Sequence, residues 1–183
     1  MLVFLPLAAV ADQCIEGDCL NGKGTVVYST GQKYTGGFKN GLRDGEGFMT
    51  MPGGRTLKGR FQNSMVLEGT YTYPDGKVFT GQWELRERNG LGTLKYADGR
   101  VYEGGFKSGL RHGQGVMTWP SGRRYEGDFV KGNRTGKGSL TYPDGRVYAG
   151  DFVDGEQTGR GVMTLPDGKR LEGKFLKGEF TGP

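Results

Sequence analysis

One stretch of sequence decides the fold: residues 136–152, which read GKGSLTYPDGRVYAGDF. Similar stretches recur along the chain, and the glycine that ends the Pro-Asp-Gly turn marks each copy. That glycine recurs at Gly31, Gly54, Gly76, Gly99, Gly122, Gly145 and Gly168. Successive copies are 23 residues apart, except for one interval of 22 between Gly54 and Gly76. A fixed period of this length predicts stacked supersecondary units in place of one globular core.

Each unit has the sequence pattern of a β-hairpin. Leu140 and Tyr142 lie two residues apart and share one side of a first strand, whereas Tyr148 and Phe152 share one side of a second. Between them, residues 143–145 supply a proline that presets the first turn position and a glycine that accepts the left-handed conformation. Such a turn is typical of a short hairpin with a bulge. The pattern therefore predicts an all-β protein.

Alignment of the copies produces one glycine column and three largely aromatic columns. Glycine inside a strand is costly unless something approaches the backbone closely. We therefore predict that an aromatic ring from a neighbouring hairpin lies flat over each of these glycines, so that a single-layer sheet buries apolar surface. The glycine column is Gly36, Gly59, Gly81, Gly104, Gly127, Gly150 and Gly173. The columns that flank it on the second strand are Tyr34, Leu57, Phe79, Tyr102, Tyr125, Tyr148 and Leu171, and Phe38, Phe61, Trp83, Phe106, Phe129, Phe152 and Phe175. The first-strand column is Tyr28, Met51, Tyr73, Tyr96, Trp119, Tyr142 and Leu165.

These columns resemble the membrane occupation and recognition nexus (MORN) repeat. The matching pattern is Tyr-x-Gly-x-Phe, a glycine-containing loop and then Gly-x-Gly, and it is intact at residues 102–106 and 113–115. The resemblance covers roughly residues 22–182. It implies an elongated, twisted antiparallel sheet. It also implies scaffolding, protein partners, self-association or contact with acidic lipid, with no catalysis by the repeats.

The chain before the repeats is predicted to divide into two segments. Residues 1–11, MLVFLPLAAVA, are apolar and end in a small-x-small pattern, so they resemble the later part of a secretory signal peptide. The alternative is a short buried or frayed segment, and eleven apolar residues are too few to span a bilayer. Residues 12–21 are predicted to form a half-unit cap, and residues 22–183 a domain of seven units. A signal peptide predicts a secreted, periplasmic or other extracytoplasmic protein; without one, a cytoplasmic or membrane-peripheral location is expected.

The two cysteines, Cys14 and Cys19, leave two alternatives open. An even number of cysteines in a secreted chain suggests a disulfide. If residues 15–19 form a strand in register with the repeats, however, residues five apart lie about 16 Å apart, too far to bridge. A bridge therefore requires residues 16–18 to turn. No metal site is expected, because the single histidine, His112, is distant in sequence and no further cysteine is present.

Basic residues also follow the repeat, in a chain with net charge +5 and a pI of about 9.2. A row of cations near 10 Å apart suits an anionic surface, and these residues are our candidates for lipid or anion binding. The alternative is a solvated edge that the turn aspartates partly neutralise. The candidates after the turn glycines are Arg55, Lys77, Arg100, Arg123, Arg146 and Lys169, with Arg124 beside them. Those in the opposite loops are Arg43, Arg88, Arg111 and Arg134.

Two apolar groups are candidates for partner contact. Met65, Val66 and Leu67 form an apolar run in a predicted connector, residues 62–68, where they either fill a bend or meet a partner. The last unit is predicted to leave its final strand, about residues 169–176, without a neighbour, and unpaired strands invite pairing with a second copy. The charges along that strand favour the opposite outcome, a monomer. The leucines that would meet in a homodimer of the C-terminal units are Leu165, Leu171 and Leu176.

No catalytic residue and no cofactor are predicted. His112 has no fixed partner in the pattern, and the Gly-x-Gly pairs lack the Gly-Lys-Ser/Thr of a phosphate-binding loop. Nucleic acid is not expected as a partner, because the aromatic residues are committed to the stacking columns. The predicted function is a non-enzymatic binding or scaffolding module whose partner is another protein or itself. The alternatives are an acidic-phospholipid or envelope-surface binder and a targeting module for a separately encoded enzyme.

Overall fold

The computed structural model describes residues 11–84 and 87–183, and within these ranges the secondary structure consists of β-strands and turns. The predicted signal segment, residues 1–11, lies outside the described residues except for Ala11. The chain forms two compact units, Met1–Pro74 and Asp75–Pro183. Each unit is an antiparallel sheet whose strands follow one another in sequence order. No helix in the described ranges is long and apolar enough to cross a membrane.

The strands confirm the predicted all-β architecture of tandem hairpins. The first unit contains β1 (Gln13–Gly17), β2 (Lys23–Val27), β3 (Lys33–Lys39), β4 (Leu42–Met51), β5 (Arg55–Gln62) and β6 (Met65–Thr72). The second contains β7 (Val78–Glu84), β8 (Glu87–Lys95), β9 (Val101–Lys107), β10 (Leu110–Thr118), β11 (Arg124–Val130), β12 (Asn133–Thr141), β13 (Val147–Val153), β14 (Glu156–Thr164), β15 (Arg170–Leu176) and β16 (Glu179–Gly182).

Two kinds of turn alternate along each sheet, and the first is the predicted Pro-Asp-Gly turn. Between β12 and β13, the Tyr142 amide donates to the Arg146 carbonyl at 2.8 Å and the Gly145 amide donates to the Tyr142 carbonyl at 3.0 Å. Gly145 has φ of 86°, the left-handed conformation that the sequence predicted. The Asp144 carboxylate accepts from the Arg146 amide at 3.1 Å, which fixes the turn from its side chain.

The second kind of turn contains two residues, both with positive φ. Lys131 (48°) and Gly132 (91°) connect β11 to β12, and Asn63 (48°) and Ser64 (65°) connect β5 to β6. Two consecutive left-handed residues are typical of the type I′ hairpin turn. The prediction of a connector over residues 62–68 was therefore wrong, because Ser64 adopts the conformation that glycine adopts elsewhere and β6 begins directly after it.

A smaller bulge explains the single 22-residue interval. In β12, residues 135–137 lie opposite Asp128 alone, so this strand carries two extra residues in the ladder. In β6, only Leu67 is extra, between the paired residues Val66 and Glu68. A bulge with one residue fewer shortens the repeat by one, without disturbing the strand pairing on either side of it.

Edge-to-face contacts between aromatic rings form the core on one face of each sheet, which we call the aromatic face. The Tyr102 ring lies 5.1 Å from that of Phe106 in its own strand and 4.9 Å from that of Phe129 in the next hairpin, with interplanar angles of 86° and 77°. The same arrangement joins Tyr34 to Phe61 in the first unit. Each ring contacts its own repeat and the next one, so the stacked repeats share a continuous apolar face.

The ring over Gly104 belongs to Tyr102 of the same strand, so our prediction of a neighbouring hairpin was wrong for this glycine column. A Cβ atom on Gly104 would lie 2.7 Å from the Tyr102 hydroxyl oxygen. That hydroxyl donates to the Gly105 carbonyl at 2.8 Å, which holds the ring along its own strand. A different glycine column, for which the sequence led to no prediction, does lie under a ring of the neighbouring hairpin: a Cβ on Gly115 in β10 would lie 2.5 Å from the Tyr102 ring.

The two cysteines of the N-terminal cap are bridged, which settles the two alternatives that the sequence left open. A disulfide joins Cys14 to Cys19, with Cα atoms 6.0 Å apart. The strand argument against a bridge fails because β1 ends at Gly17, whose φ is 71°. The Asp18 amide then donates to the Lys23 carbonyl at 2.8 Å, so the chain turns back before it reaches Cys19.

The predicted unpaired strand, about residues 169–176, has neighbours on both sides. β15 pairs with β14 along its length and with β16 over its last three residues, Lys174 to Leu176. Lys177 and Gly178 have φ of 51° and 89°, so a further type I′ turn returns the chain as β16. The prediction was wrong because this turn has no Pro-Asp-Gly signature to mark it.

Candidate functional site

The predicted loop arginines lie on the aromatic face, where each connects one hairpin to the next; we call them the bridging arginines. The Arg111 guanidinium centre lies 5.8 Å from the Tyr102 ring and 5.5 Å from the Phe129 ring. One of its nitrogens, Nη2, donates to the Gly132 carbonyl in the next turn at 2.5 Å. A planar cation between two rings and a carbonyl combines cation–π attraction with a charge-assisted hydrogen bond. The other bridging arginines are Arg43, Arg88 and Arg134, which donate to Ser64, Gly109 and Gly155.

The sequence predicts the bridging arginines only as a charged column, whereas the structure gives them a packing role. The missed signal is their constant distance of five residues from the phenylalanine column, which puts Arg134 opposite Phe129 in the β11–β12 pair. Burial and the nearby Arg123 lower the pKa of Arg134. The half-buried guanidinium groups contribute to the fold, whereas their contact with an anionic surface stays a prediction.

Three turn arginines of the second unit lie on the aromatic face beside the first-strand aromatic column. The Arg100 guanidinium centre is 4.7 Å from the Tyr96 ring, and Arg146 is 4.8 Å from the Tyr142 ring. Arg100 and Arg146 also form ion pairs of 2.7 Å with the turn aspartates Asp98 and Asp144. The Arg100 amide and then its side chain lower the pKa of that carboxyl, so it stays ionised near neutrality. The aspartates thus offset part of the cationic charge.

Arg123 differs because Ser121 replaces the turn aspartate. Its guanidinium centre lies 5.3 Å from the Trp119 ring and 5.5 Å from the Tyr142 ring. Its Nε is buried and has no hydrogen-bond partner in the described parts of the chain. Arg123 therefore joins two successive aromatic side chains and keeps an unused donor. We call this series the aromatic–arginine ladder; its members are Tyr96, Trp119, Tyr142, Arg100, Arg123 and Arg146.

The remaining basic candidates do not share one environment. Arg124 is the first residue of β11 and precedes Tyr125, which lies on the aromatic face. The Arg124 side chain therefore lies on the opposite face, where it pairs with Glu126 at 2.7 Å. Lys77 lies 3.6 Å from Asp75. Arg55 is exposed in the first unit, and Lys169 is exposed in the turn before β15.

The apolar candidates for partner contact also lie in different environments. Met65 is exposed at the start of β6, and Val66 and Leu67 after it are half-buried. Leu165 and Leu171 are half-buried, and Leu171 is paired with Met163 on the aromatic face. Leu176 is 55% exposed and follows Phe175, so it lies on the other face. The three predicted dimer leucines therefore do not form one patch.

A pocket of about 360 Å³ lies beside Tyr142 at one end of the ladder. Arg123, Arg146, Gln157 and Lys177 line it, and Glu156 and Glu179 contribute carboxylates. Gln157 occupies the position of a bridging arginine, and only 6% of it is exposed. Its Oε1 accepts from the Tyr142 hydroxyl at 3.0 Å, whereas its Nε2 has no partner among the described residues. We call this cavity the Gln157 pocket.

Residues 11–84 and 87–183 contain no candidate metal site. Within these ranges no group of three His, Cys, Asp or Glu side chains is arranged to hold a metal ion. His112 lies in β10, where residues 112–114 form a bulge opposite Gly105 of β9, so it belongs to a strand.

Comparison with known proteins agrees with this architecture. The family model for the MORN repeat matches residues 34–54, 68–78, 79–99, 102–123, 125–145 and 148–170. Human and rat alsin are 33% identical over 78 residues, which are 39% of this chain and 5% of alsin, so the match spans a small part of those relatives.

Two solved structures are similar across most of the chain. One is the SAS-4 TCP domain of Drosophila melanogaster, in complex with a proline-rich motif of Ana2. It is 18% identical with a TM-score of 0.56, and the alignment covers 96% of this chain and 97% of that one, so the two share a fold. The TCP10 domain of Danio rerio CPAP is also 18% identical, with a TM-score of 0.46 over 84% of this chain and 79% of that one.

Proposed function

The chain belongs to the MORN repeat family, and from that premise we propose that it is a non-enzymatic module that binds other proteins. The aromatic–arginine ladder is the observation that supports this proposal. Tyr96, Trp119 and Tyr142 are half-exposed, whereas the rings behind them are buried. Tyrosine, tryptophan and arginine are the residues that most often dominate the binding energy of protein interfaces.

We infer that the partner presents an extended, proline-rich segment. A polyproline II helix has three residues per turn and rises about 3.1 Å per residue, so it repeats every ~9.3 Å. The ladder repeats once per hairpin, which is two strand spacings of about 4.8 Å, or about 9.6 Å. A segment with proline at every third position would meet one aromatic side chain of the ladder per turn. The complex of the SAS-4 TCP domain with a proline-rich motif supports this choice of partner.

Calorimetric titration with a peptide that carries proline at every third position tests the proposal. Trp119→Ala is expected to weaken binding by about tenfold or more, because Trp119 is the central ring of the ladder. Val153→Ala is the matched control, since Val153 is exposed on the opposite face. Equal affinity for a peptide of the same composition with clustered prolines, together with no effect of Trp119→Ala, would contradict the proposal.

The basic residues of the turns support a second candidate function, which is binding to acidic phospholipid or to an envelope surface. Arg123 supports it, because no turn aspartate offsets its charge. Three substitutions to glutamine, at Arg100, Arg123 and Arg146, are expected to abolish flotation with anionic vesicles at low salt. Absence of flotation by the unaltered protein would rule this function out. Self-association and the targeting of a separately encoded enzyme stay proposals of the same class, tested by sedimentation and by co-purification.

An extracytoplasmic location is also a proposal. The Cys14–Cys19 disulfide supports it, because disulfides persist mainly in oxidising compartments. Cell fractionation, with the thiols of the recovered protein labelled before and after reduction, tests it. Labelling of both cysteines without reduction would contradict the proposal.

A further inference from the structure

We propose that the Gln157 pocket binds a carboxylate, contributed by an acidic residue of the partner segment. The inference rests on the proposed function, because it names the chemistry that the partner presents beside its prolines. It starts from a difference between repeats. In the three preceding repeats of the second unit, the position of Gln157 is occupied by a bridging arginine, as at Arg134.

The glutamine side chain leaves the space of that arginine only partly filled. Arg134 reaches the Gly155 carbonyl in the next turn and lies over the Phe152 ring. Gln157 is shorter, and its Oε1 is engaged by the Tyr142 hydroxyl. Its Nε2 is therefore a buried donor that has no acceptor among the described residues and belongs to a side chain lining the pocket.

A second donor at the pocket has the same property. The Nε of Arg123 is buried and lacks an acceptor in the described ranges. Arg123 also lines the pocket and lies over the Tyr142 ring. A buried donor without a partner is unfavourable, so a ligand that only accepts hydrogen bonds gains affinity here. An ionised carboxylate is such a group, and its two oxygens match the donors of an amide and a guanidinium.

The charges around the pocket favour a single negative charge. Arg123, Arg146 and Lys177 supply three cations, but Glu156 and Glu179 oppose them. Arg146 is further neutralised by its ion pair with Asp144. Because the net charge at the pocket is small, a doubly charged phosphoryl group would leave more uncompensated negative charge there than a singly charged carboxylate.

The position of the pocket also fixes where the acidic residue belongs in the partner. Tyr142 is shared by the pocket and the ladder. An extended segment that places a proline over Tyr142 reaches the next hairpin after one turn of polyproline II, about 9.3 Å or three residues. We therefore expect the acidic residue three positions from the proline that contacts Tyr142.

Nitrogen–hydrogen correlation NMR spectra test the pocket directly, because they report the side-chain signals of Gln157 and Arg123. Sodium acetate is expected to shift both signals, relative to sodium chloride at equal ionic strength. Gln157→Leu should remove the response of the Arg123 signal. If the leucine variant does not fold, Gln157→Glu tests the same point, because glutamate keeps the shape of the side chain but repels an anion. The matched control is Gln114→Leu, since Gln114 is exposed on the opposite face and bonded to Asp128.

Binding measurements with peptides then test whether an acidic residue of the partner occupies the pocket. A proline-repeat peptide with glutamate three positions after its last proline is expected to bind about tenfold more tightly than the glutamine peptide, as loss of one charge-assisted hydrogen bond predicts. Equal affinities would overturn the inference and leave the proposed function intact, and a shift with acetate would then mean an adventitious ion only. A response to phosphate but not to acetate would overturn it in favour of a phosphoryl ligand. If neither peptide binds, the proposal of a proline-rich partner fails. In that case, an acetate response that disappears in Gln157→Glu still supports a carboxylate site in the Gln157 pocket.

Discussion

The guanidinium of Arg111 in β10 lies 5.5 Å from the centre of the Phe129 ring in β11, so a cation of one strand packs on an aromatic side chain of the adjacent strand. Its hydrogen bond to the turn after that phenylalanine strengthens the same junction. Since a repeat protein gains its stability from the interfaces between neighbours, these contacts are expected to set the cohesion of the stack.

Arg111→Lys is expected to lower the free energy of unfolding by about 1–3 kcal/mol. Lysine keeps the charge but loses the planar group that lies between the rings and donates to Gly132. Urea denaturation measures the change. Arg124→Lys is the control on the opposite face, where an exposed ion pair is worth about 0–1 kcal/mol. Equal stability of Arg111→Lys and the unaltered protein would mean that the bridging contact does not hold the hairpins together.

Gly115→Ala is expected to destabilise the protein by about 1–3 kcal/mol, because the new methyl group would overlap the Tyr102 ring. Gly122→Ala separates this effect from the general cost of replacing glycine, since no atom lies within 4 Å of its Cβ position and only its φ of 86° opposes the change. That conformation alone costs an alanine about 1–2 kcal/mol. Thermal unfolding of both variants checks the prediction, and a larger loss for Gly122→Ala would argue against ring packing over Gly115.

Buried tyrosines are expected to make the protein unstable at alkaline pH. Burial raises the pKa of Tyr34, Tyr102 and Tyr125 to about 12, from 10.0. The folded state therefore holds these protons more tightly than the unfolded state, so the contribution is present below pH 10 and is lost as the pH rises towards 12. Tyrosinate absorbance, followed together with urea denaturation over this range, measures the effect. Tyr102→Phe should reduce the dependence, and an unchanged profile in that variant would contradict the assignment.

Gln157→Arg is expected to raise the free energy of unfolding by about 0.5–2 kcal/mol. The longer side chain would reach the Gly178 carbonyl and restore the contacts that Arg134 makes one repeat earlier. Differential scanning calorimetry measures the change. Gln157→Lys serves as the control, because it adds the charge without the planar group. A gain of equal size in both variants would show that charge alone, and not the bridging geometry, is responsible.

The sequence predicts the parts of this fold that depend on local chemistry. The 23-residue period, the hairpins and the left-handed Gly145 follow from residue type and spacing, since turn geometry constrains both. The direction of the Tyr102 ring does not, because a rotamer and a hydrogen bond to Gly105 decide whether the ring lies over its own strand or a neighbouring one.

The candidate site shows the same limit. The columns of tyrosine and arginine are visible in the sequence, but the contacts that Gln157 and Arg123 make with Tyr142 join residues 15 and 19 positions apart, on different strands and turns. The sequence predicts the Pro-Asp-Gly turns and misses the turn at Lys177, because lysine is a rare residue with positive φ. Contacts between repeats and exceptional backbone conformations are thus the features that required the structure.

The type I′ turns have a consequence for how this protein diversifies. They require two left-handed residues, and the second is glycine in all but one described case, Ser64. The first position varies freely and is filled by Asn40, Asn63, Ser108, Lys131, Asp154 and Lys177. Successive hairpin tips can therefore acquire positive, negative or neutral side chains by single substitutions while the aromatic core stays unchanged. The tips are therefore positions where a substitution changes the surface charge at little risk to folding.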